Sequence, residues 1–138
     1  MIIKQISIFL ENVAGRLAEV TRLLAQHGIN LRAMTIADTA DFGILRIVVD
    51  QPDKALKVLR DGGFTAKTTE VLAVEVEDRP GGLSKVMEIF QQNKVNIEYL
   101  YVSLEKNKDR AVVIFKVEDL KLGQKIVEEH GLGGTVSL

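Results

Sequence analysis

The chain contains the same segment twice. Residues 11–17 read Glu-Asn-Val-Ala-Gly-Arg-Leu, and residues 77–83, which lie 66 positions later, read Glu-Asp-Arg-Pro-Gly-Gly-Leu. The same offset aligns residues 29–31 with 95–97, and an offset of 68 aligns the next apolar run. Because the two copies account for nearly the whole chain, we expect two small domains of one type, over residues 1–69 and 70–138.

The composition favours an ordinary globular protein. Eighteen basic and 19 acidic residues give a net charge of −1, without a basic block that could meet nucleic-acid phosphates or anionic lipids. The apolar N-terminal run is interrupted by Lys4, Gln5 and Ser7 and is far shorter than the roughly 20 residues of a membrane span. The absence of cysteine excludes disulfides and thiolate chemistry. We therefore expect a cytoplasmic protein without a nucleic-acid or membrane partner.

Hydrophobic periodicity predicts the order strand, helix, strand, strand, helix, strand in each copy. Period-two alternation marks the first strands, and apolar residues three and four positions apart mark the helices that follow. Polar segments at 38–41 and 105–109 join the middle strands into hairpins, and strands over 64–69 and 135–138 close the sheets. This order is the split βαβ arrangement of ferredoxin-like folds, an α+β class with an antiparallel sheet and two helices on one face.

The first helix of each copy needs a C-terminal stop. Gly28 suits the left-handed position that follows a helix, whereas its counterpart in the second copy is Lys94, next to Asn93. The second copy must therefore end its first helix in another way.

The loop between the first strand and the first helix is the most distinctive local feature. A glycine there, Gly15 or Gly81, lets a ligand approach the backbone closely, and the free N–H groups of a helix start favour an anion such as a carboxylate. Asn12 and Asp78 stand before these glycines, where they could contact a ligand or simply cap the helix. The spacing alone favours the capping role.

A second matched polar position points towards a ligand. Asn30 and Asn96 open the second strand of each copy between apolar neighbours, although asparagine is a poor strand former. Apolar residues would serve a purely structural role better.

These segments together resemble the signature of ACT domains, the regulatory amino-acid-binding modules of amino-acid metabolism. Residues 11–17 with 28–31, and 77–83 with 95–97, carry the resemblance, which extends over both copies. The chain looks most like small proteins made of two tandem ACT domains, related to the regulatory subunit of acetolactate synthase. The resemblance implies an amino-acid ligand at the interface between ACT domains, held by the first loop, the start of the first helix and the second strand. The residues implicated are Asn12, Ala14, Gly15, Arg16, Leu17 and Asn30, with Asp78, Pro80, Gly81, Gly82, Leu83 and Asn96 as their counterparts.

The two copies differ at this motif. Ala14 replaces the proline that the family often has, whereas Pro80 keeps it, and Asp78 replaces the asparagine of the first copy. An aspartate would repel a ligand carboxylate but could receive an ammonium group. The two sites therefore need not be equivalent.

Two hypotheses of function remain. The first is an allosteric sensor of a small amino acid, without catalytic activity or cofactor, which acts through its oligomeric state or through an enzyme partner of amino-acid biosynthesis. The alternative is a non-catalytic structural or interaction module with vestigial ligand sites. No close cluster of metal ligands or nucleophile motif favours an enzyme.

The second strands also predict an assembly. Both faces of these strands are apolar or aromatic, and burial under helices on one face leaves the other exposed. We therefore expect at least a homodimer, formed through the sheet face opposite the helices or through the sheet edges.

Overall fold

The computed structural model describes residues 1–38, 42–107 and 109–132, in two compact units. The unit called the first repeat spans Lys4–Thr69, and the second repeat comprises the residues from Glu70 onward together with Met1–Ile3. The order of strands and helices agrees with the predicted α+β pattern, although the strand predicted over 135–138 lies outside the described residues. The elements are β1 (Ile2–Glu11), α1 (Arg16–Gln26), β2 (Leu31–Asp38), β3 (Phe42–Val49), α2 (Pro52–Asp61), β4 (Thr65–Glu77), α3 (Gly82–Gln92), β5 (Ile97–Asn107), β6 (Arg110–Val117) and α4 (Leu120–Glu129).

The first repeat pairs its strands antiparallel in the order β1-β3-β2. Ile6 lies opposite Ile47, and Ile36 lies opposite Leu45. Alternate strand residues point to one face, where they pack against α1 and α2. The buried residues of this core include Ile6, Ile8, Leu10, Val20, Leu24, Leu45, Ile47, Val49, Ala55 and Leu59.

The second repeat has the same arrangement in the order β4-β6-β5. Leu72 lies opposite Phe115, and the ring of Phe90 on α3 meets Phe115 edge to face, with centroids 5.3 Å apart and planes inclined by 78°. Aromatic pairs prefer this geometry because the positive edge of one ring meets the negative face of the other. The helices therefore pack on one face of the sheet here as well.

Several residues on the sheet faces that point away from the helices are buried as well. Gln5 and Ser7 on β1 are 0% and 5% exposed, and Val71 and Ala73 on β4 are fully buried. The amide of Gln5 donates to the hydroxyl of Ser7 over 3.4 Å, in keeping with the rule that buried polar groups are hydrogen-bonded. The face is therefore not exposed at these positions, whereas Phe9 and Phe42 on the same face of the first repeat are 42% and 54% exposed.

Residues 1–3 belong structurally to the second repeat, although the sequence repeat counts them with the first. The N–H of Ala73 donates to the carbonyl of Met1 at 2.8 Å, and the terminal ammonium of Met1 donates to the carbonyl of Ala73 at 3.2 Å. Burial lowers the pKa of this amino group, against the opposing effect of Glu128. Such long-range pairing leaves no trace in local periodicity.

The first helices of the two repeats end in the same left-handed conformation. Gly28 has φ of +68°, and Lys94 at the matched position has φ of +58°, unlike any other described non-glycine residue. The side chain of Asn93 donates to the carbonyl of Ile89 at 2.8 Å and helps to end the helix. Asn93 thus contributes as predicted, while Lys94 accepts a backbone conformation that costs a residue with a Cβ about 1–2 kcal/mol.

Replacing Lys94 by glycine should relieve this strain. We expect Lys94→Gly to raise the free energy of unfolding by about 1 kcal/mol, and Gly28→Ala at the matched position to lower it by a similar amount. Urea titrations with the m-value held constant between variants measure both changes. A lower stability for Lys94→Gly would show that Lys94 is not strained.

Candidate functional site

The strand-to-helix loops of the two repeats share one backbone form. Gly15 and Gly81 immediately precede α1 and α3 and are left-handed, with φ of +91° and +88°. Their carbonyls accept from the N–H groups of Glu19 and Lys85, at 2.9 and 3.0 Å. Glycine adopts positive φ at no steric cost. The matched glycines therefore give the two loops the same backbone conformation at this position.

Neither Asn12 nor Asp78 caps a helix. The N-cap residues are Gly15 and Gly81, three positions further on, and neither helix has a side-chain cap hydrogen bond. The interpretation of the two polar residues as N-caps is wrong, since the loop continues past them before the helix begins.

A cleft of about 290 Å³ opens beside this loop in the first repeat. Three of the predicted site residues line it, namely Asn12, Arg16 and Leu17, while Ala14 and Gly15 lie exposed in the same loop without lining it. Ligand clefts in proteins typically measure about 300–1,000 Å³, so this one lies at the small end of the range and has room for a single amino acid. The other walls come from Leu10, Glu11, Val13, Ile36 and Gly43.

Strand register explains why two walls come from distant parts of the sequence. Leu10 lies opposite Gly43, and Ile36 lies two residues before the end of β2, whose last residue is opposite Gly43. Ile36, Gly43, Glu11 and Val13 were not among the predicted site residues. The predicted hairpin already contained the signal for the first two, since it places both next to its turn.

Arg16 is the cation of this cleft. Its guanidinium lies 3.1 Å from a carboxylate oxygen of Glu19 and 3.5 Å from one of Glu11. The hydrogen bond to Glu19, followed by the charges of both carboxylates, raises the pKa of Arg16. Since a guanidinium carries five N–H donors, these two contacts leave donors for a ligand carboxylate.

Asn30 lies at the opposite end of the sheet from this cleft. Strands β1 and β2 both run antiparallel to β3, so the start of β2 is far from the end of β1. The eight residues of β2 separate the two places by roughly 25 Å, at about 3.3 Å per residue. The N–H of Asn30 donates to the carboxylate of Asp50 at 3.0 Å. Within one repeat, Asn30 and the first loop cannot contact the same small ligand.

Asn96 has the matched position and a structural contact in the second repeat. Its amide donates to the carboxylate of Glu118 at 3.1 Å, and its carbonyl accepts from the N–H of Glu118 at 2.9 Å. These bonds join the start of β5 to the end of β6. They give the asparagine a structural role besides any role in binding.

The first loop of the second repeat is tighter. A Cβ added to Gly82 would lie 1.9 Å from the carbonyl oxygen of Glu77, whereas the matched residue of the first repeat is Arg16, which has a Cβ. Asp78 and Pro80 are exposed, and Leu83 is 38% exposed, close to the 39% of Leu17. The predicted site residues of the second repeat thus form a loop of similar backbone with less room at the helix start.

A second cleft in the first repeat, of about 230 Å³, has aromatic walls. It shares Leu10, Glu11 and Arg16 with the cleft already described. Its three rings are those of Phe9, Phe42 and Phe64.

An ion pair replaces two of these rings in the second repeat. The repeat offsets align Phe9 with Glu75 and Phe42 with Arg110, and Nε of Arg110 lies 2.7 Å from a carboxylate oxygen of Glu75. The side chain of Glu75 is 9% exposed, whereas Phe9 and Phe42 are 42% and 54% exposed. The two repeats therefore share a fold but present different chemistry at this end of the sheet.

The residues that the structure describes were assessed for two further kinds of site by their side chains and helix lengths: metal centres and membrane spans. Among them no group of three histidine, aspartate or glutamate side chains is placed to hold a metal ion. Within the same ranges, no helix is long and apolar enough to cross a membrane.

Comparison with known proteins identifies the family. Residues 1–133 match the family described as the ACT domain pair. The chain belongs to this family. The resemblance inferred from residues 11–17 and 77–83 is thereby confirmed, and with it the tandem ACT architecture and the ferredoxin-like fold.

Three similar proteins illustrate the family. Protein BT0572 of Bacteroides thetaiotaomicron is 41% identical, with a TM-score of 0.90 over 96% of this chain and 91% of its own. The acetolactate synthase small subunit of Buchnera aphidicola is 28% identical over 120 residues, which are 86% of this chain and 75% of that protein. The regulatory subunit of aspartate kinase from Thermus thermophilus shares the fold, at 19% identity and a TM-score of 0.66 over 94% of this chain and 96% of its own.

The tight loop of this ACT pair yields a stability prediction. We expect Gly82→Ala to lower the free energy of unfolding by about 1–3 kcal/mol, because its methyl group would overlap the backbone carbonyl of Glu77. Arg16→Ala is the matched control: it keeps an existing Cβ, loses exposed ion pairs and should cost less than about 1 kcal/mol. Thermal and urea unfolding of both variants provide the comparison, and equal losses would contradict the account.

Proposed function

We propose that this ACT pair is a non-catalytic regulatory protein that binds a small amino acid at the first loop of its first repeat. The observation that carries the proposal is the cleft that brings together Asn12, Arg16 and Leu17, three residues that the ACT motif implicates. The relatives support the regulatory part, since one is the small subunit of acetolactate synthase. In this proposal, as in the family resemblance, the complete site lies at an interface between ACT units.

The chemistry of the cleft matches the ends of an amino acid. The guanidinium of Arg16 can receive the ligand carboxylate, and the carboxylate of Glu11 can receive the ammonium group. Asn12 is exposed in the loop and offers both a donor and an acceptor. A zwitterion therefore finds an opposite charge for each of its own charges.

The ligand signal is proposed to reach an enzyme of amino-acid biosynthesis as the partner. A ligand that completes the site from two ACT units changes the stability of their contact, which makes oligomeric state the natural output. The alternative is a structural or interaction module with vestigial sites. The bonds between Asn96 and Glu118 favour that alternative for this one residue.

A thermal-shift screen against the twenty amino acids tests the proposal. A ligand that binds the folded state alone must stabilise it, by about 2.7 kcal/mol at a hundredfold excess over Kd. We expect at least one amino acid to raise the melting temperature with this concentration dependence. If none does so at millimolar concentration, the vestigial alternative is the correct one.

Substitution of the asparagines separates binding from structure. Asn12→Ala should weaken binding about ten- to a hundredfold in Kd, the value of a hydrogen bond to a charged group, with little change in stability. Asn96→Ala should lower stability by less than about 1 kcal/mol, because its bond to Glu118 is exposed. Calorimetry with the ligand from the screen measures Kd, and unfolding in parallel measures the change in stability. The same two measurements apply to Asn30→Ala. An unchanged Kd for Asn12→Ala would place the site elsewhere.

We also propose that the protein is a homodimer, through a surface other than the one first expected. On the sheet face opposite the helices, Gln5, Ser7, Val71 and Ala73 are buried, which leaves less of that face for a partner. Exposed apolar side chains remain on the helix-bearing face of β2 and β5: Ile36 at 52%, Leu100 at 39% and Val102 at 53%. Ile36 lies opposite Leu45, and Leu100 lies opposite Phe115, which places each on the same face as the core.

Sedimentation velocity tests the dimer. We expect a dimer mass at micromolar concentration and a shift towards monomer for Leu100→Glu, since a buried unpaired charge is costly. Glu98→Gln on the same strand is the control, because Glu98 is a polar residue that is already exposed. A monomer mass for the unaltered chain at all micromolar concentrations would contradict the proposal.

A further inference from the structure

We propose that the aromatic cleft of the first repeat, the one walled by Phe9, Phe42 and Phe64, binds an arginine side chain of a partner protein. The inference concerns neither the amino-acid ligand nor the cleft assigned to it. It rests on the part of the proposed function that gives this chain a protein partner, and it assigns the surface on which that partner docks.

Three phenyl rings form the apolar part of this cleft. Phe9 lies on β1 and Phe42 begins β3, and their side chains are 42% and 54% exposed. Phe64 follows α2 and packs in part against the core of the repeat. Because aromatic side chains are enriched where proteins contact one another, the rings favour an occupant that stacks on them.

The charged part of the cleft has a net negative charge. Glu11 and Glu19 contribute two carboxylates and Arg16 one guanidinium, which lies 3.5 Å from the first carboxylate and 3.1 Å from the second. One cation is therefore shared between two anions. An occupant that excludes water from these carboxylates must bring a positive charge, because a carboxylate removed from water without a partner is costly.

A guanidinium suits both parts of the lining. The quadrupole of a phenyl ring attracts a cation to its face, and the paired N–H groups of a guanidinium fit a carboxylate. A guanidinium is also planar and more weakly hydrated than the ammonium group of lysine, so it stacks on a ring at lower cost. The cleft measures about 230 Å³, which is below the roughly 300 Å³ at which clefts for free ligands begin, and it therefore suits one side chain.

The second repeat supplies an arginine of its own at the matched place. Arg110 aligns with Phe42, and its Nε lies 2.7 Å from a carboxylate oxygen of Glu75, which aligns with Phe9. A pair of guanidinium and carboxylate thus stands where the first repeat has two exposed rings. This end of the sheet accommodates a guanidinium in the second repeat, and in the first repeat we assign that role to a partner.

The cleft is open on the side of the turn between α2 and β4. Gly62 and Gly63 line it there without side chains, and a Cβ added to Gly63 would have no atom within 4 Å. Thr65 follows them and is exposed. An arginine that projects from another protein can therefore enter from this side.

The first test is an NMR titration of the ¹⁵N-labelled chain with the tripeptide acetyl-Gly-Arg-Gly-amide. Its blocked ends carry neither a carboxylate nor an ammonium group, so it cannot bind as a free amino acid does. We expect saturable shifts at the N–H groups of Phe9, Phe42 and residues 62–65. The matched tripeptide with norleucine keeps an aliphatic stem without the charge and should bind at least threefold more weakly. Equal or tighter binding of the norleucine tripeptide would overturn the assignment to a cation.

Substitutions test the position of the site. Glu19→Lys gives the first repeat the charge that Lys85 has at the matched position, and it should weaken the arginine tripeptide at least threefold. Phe9→Thr removes one ring, keeps a residue that favours strands and should weaken it at least twofold. Lys85→Glu is the matched control and should leave Kd unchanged. All three side chains are exposed, and urea unfolding checks that the variants remain folded. Unchanged binding in both Glu19→Lys and Phe9→Thr would show that the assignment is wrong.

Two comparisons identify the source of the cation. Ethylguanidinium carries the same group without a peptide main chain, and its binding without binding of the tripeptide would show a site for a free small cation instead of a docking surface. Sedimentation velocity of Glu19→Lys and Phe9→Thr should give the mass of the unaltered chain. A shift towards monomer would assign the cleft to a second copy of this chain and would also overturn the inference.

The failure of this inference can be told apart from the failure of the proposed function. If the thermal-shift screen finds no amino acid but the arginine tripeptide binds at the aromatic cleft, the amino-acid site fails and the docking surface stands. If an amino acid binds and the arginine tripeptide gives no saturable shift, the amino-acid site stands and the inference drawn here is wrong.

Discussion

The left-handed glycine between the first strand and the first helix is the conformation on which the site depends. Gly15 and Gly81 adopt it in both repeats, with φ near +90°. A residue with a Cβ would lose about 1–2 kcal/mol there, so glycine fixes where the strand ends and where the helix begins. In the first repeat the result is that Arg16 and Leu17 face the end of β2 across a cleft. A turn of another conformation would separate the guanidinium of Arg16 from the apolar residues that line the cleft with it.

The two repeats share one fold but differ at the end of the sheet next to the strand-to-helix loop. The first repeat exposes Phe9 and Phe42, whereas the second has the ion pair of Glu75 and Arg110 at the matched positions. The carboxylate of Glu75 is nearly buried, so its partner matters: a buried charge without a partner is costly. Duplication therefore supplied two equal backbones, and side chains at matched positions gave them different surfaces. The proposed ligand site lies in the first repeat, where these matched positions are apolar and exposed.

Local patterns predicted the fold well because local forces determine most of it. Alternating apolar residues located the strands, and Gly28 located the end of α1 through its positive φ. Local patterns did not reveal two features that depend on contacts between distant parts of the chain. Residues 1–3 belong to the second repeat, where Met1 pairs with Ala73, and residues such as Gln5 and Val71 on the sheet face opposite the helices are buried, which periodicity could not reveal. Lys94 takes a left-handed conformation that its residue type disfavours by about 1–2 kcal/mol, in a helix end closed by the N–H of Val95, which donates to the carbonyl of Phe90 at 2.9 Å.

The sequence predicted part of the lining of this cleft, and strand direction explains why the rest was missed. Asn12, Arg16 and Leu17 are neighbours in sequence and also line one cleft. Asn30 was grouped with them by motif, yet β1 and β2 run in the same direction, so the start of one strand is remote from the end of the other. Ile36 and Gly43 are brought in by hairpin register, and attention to register would have identified them.

The most direct test is an NMR titration of the ¹⁵N-labelled chain with the amino acid that raises its melting temperature most. We expect the largest and saturable shifts at the backbone N–H groups of residues 12–17, together with those of Ile36 and Gly43 from the adjoining strands. The matched residues 78–83 provide the internal comparison in the same spectrum and should shift less. Shifts confined to residues 78–83, or no saturable shift with any amino acid, would contradict the claim that the first repeat holds an amino-acid site.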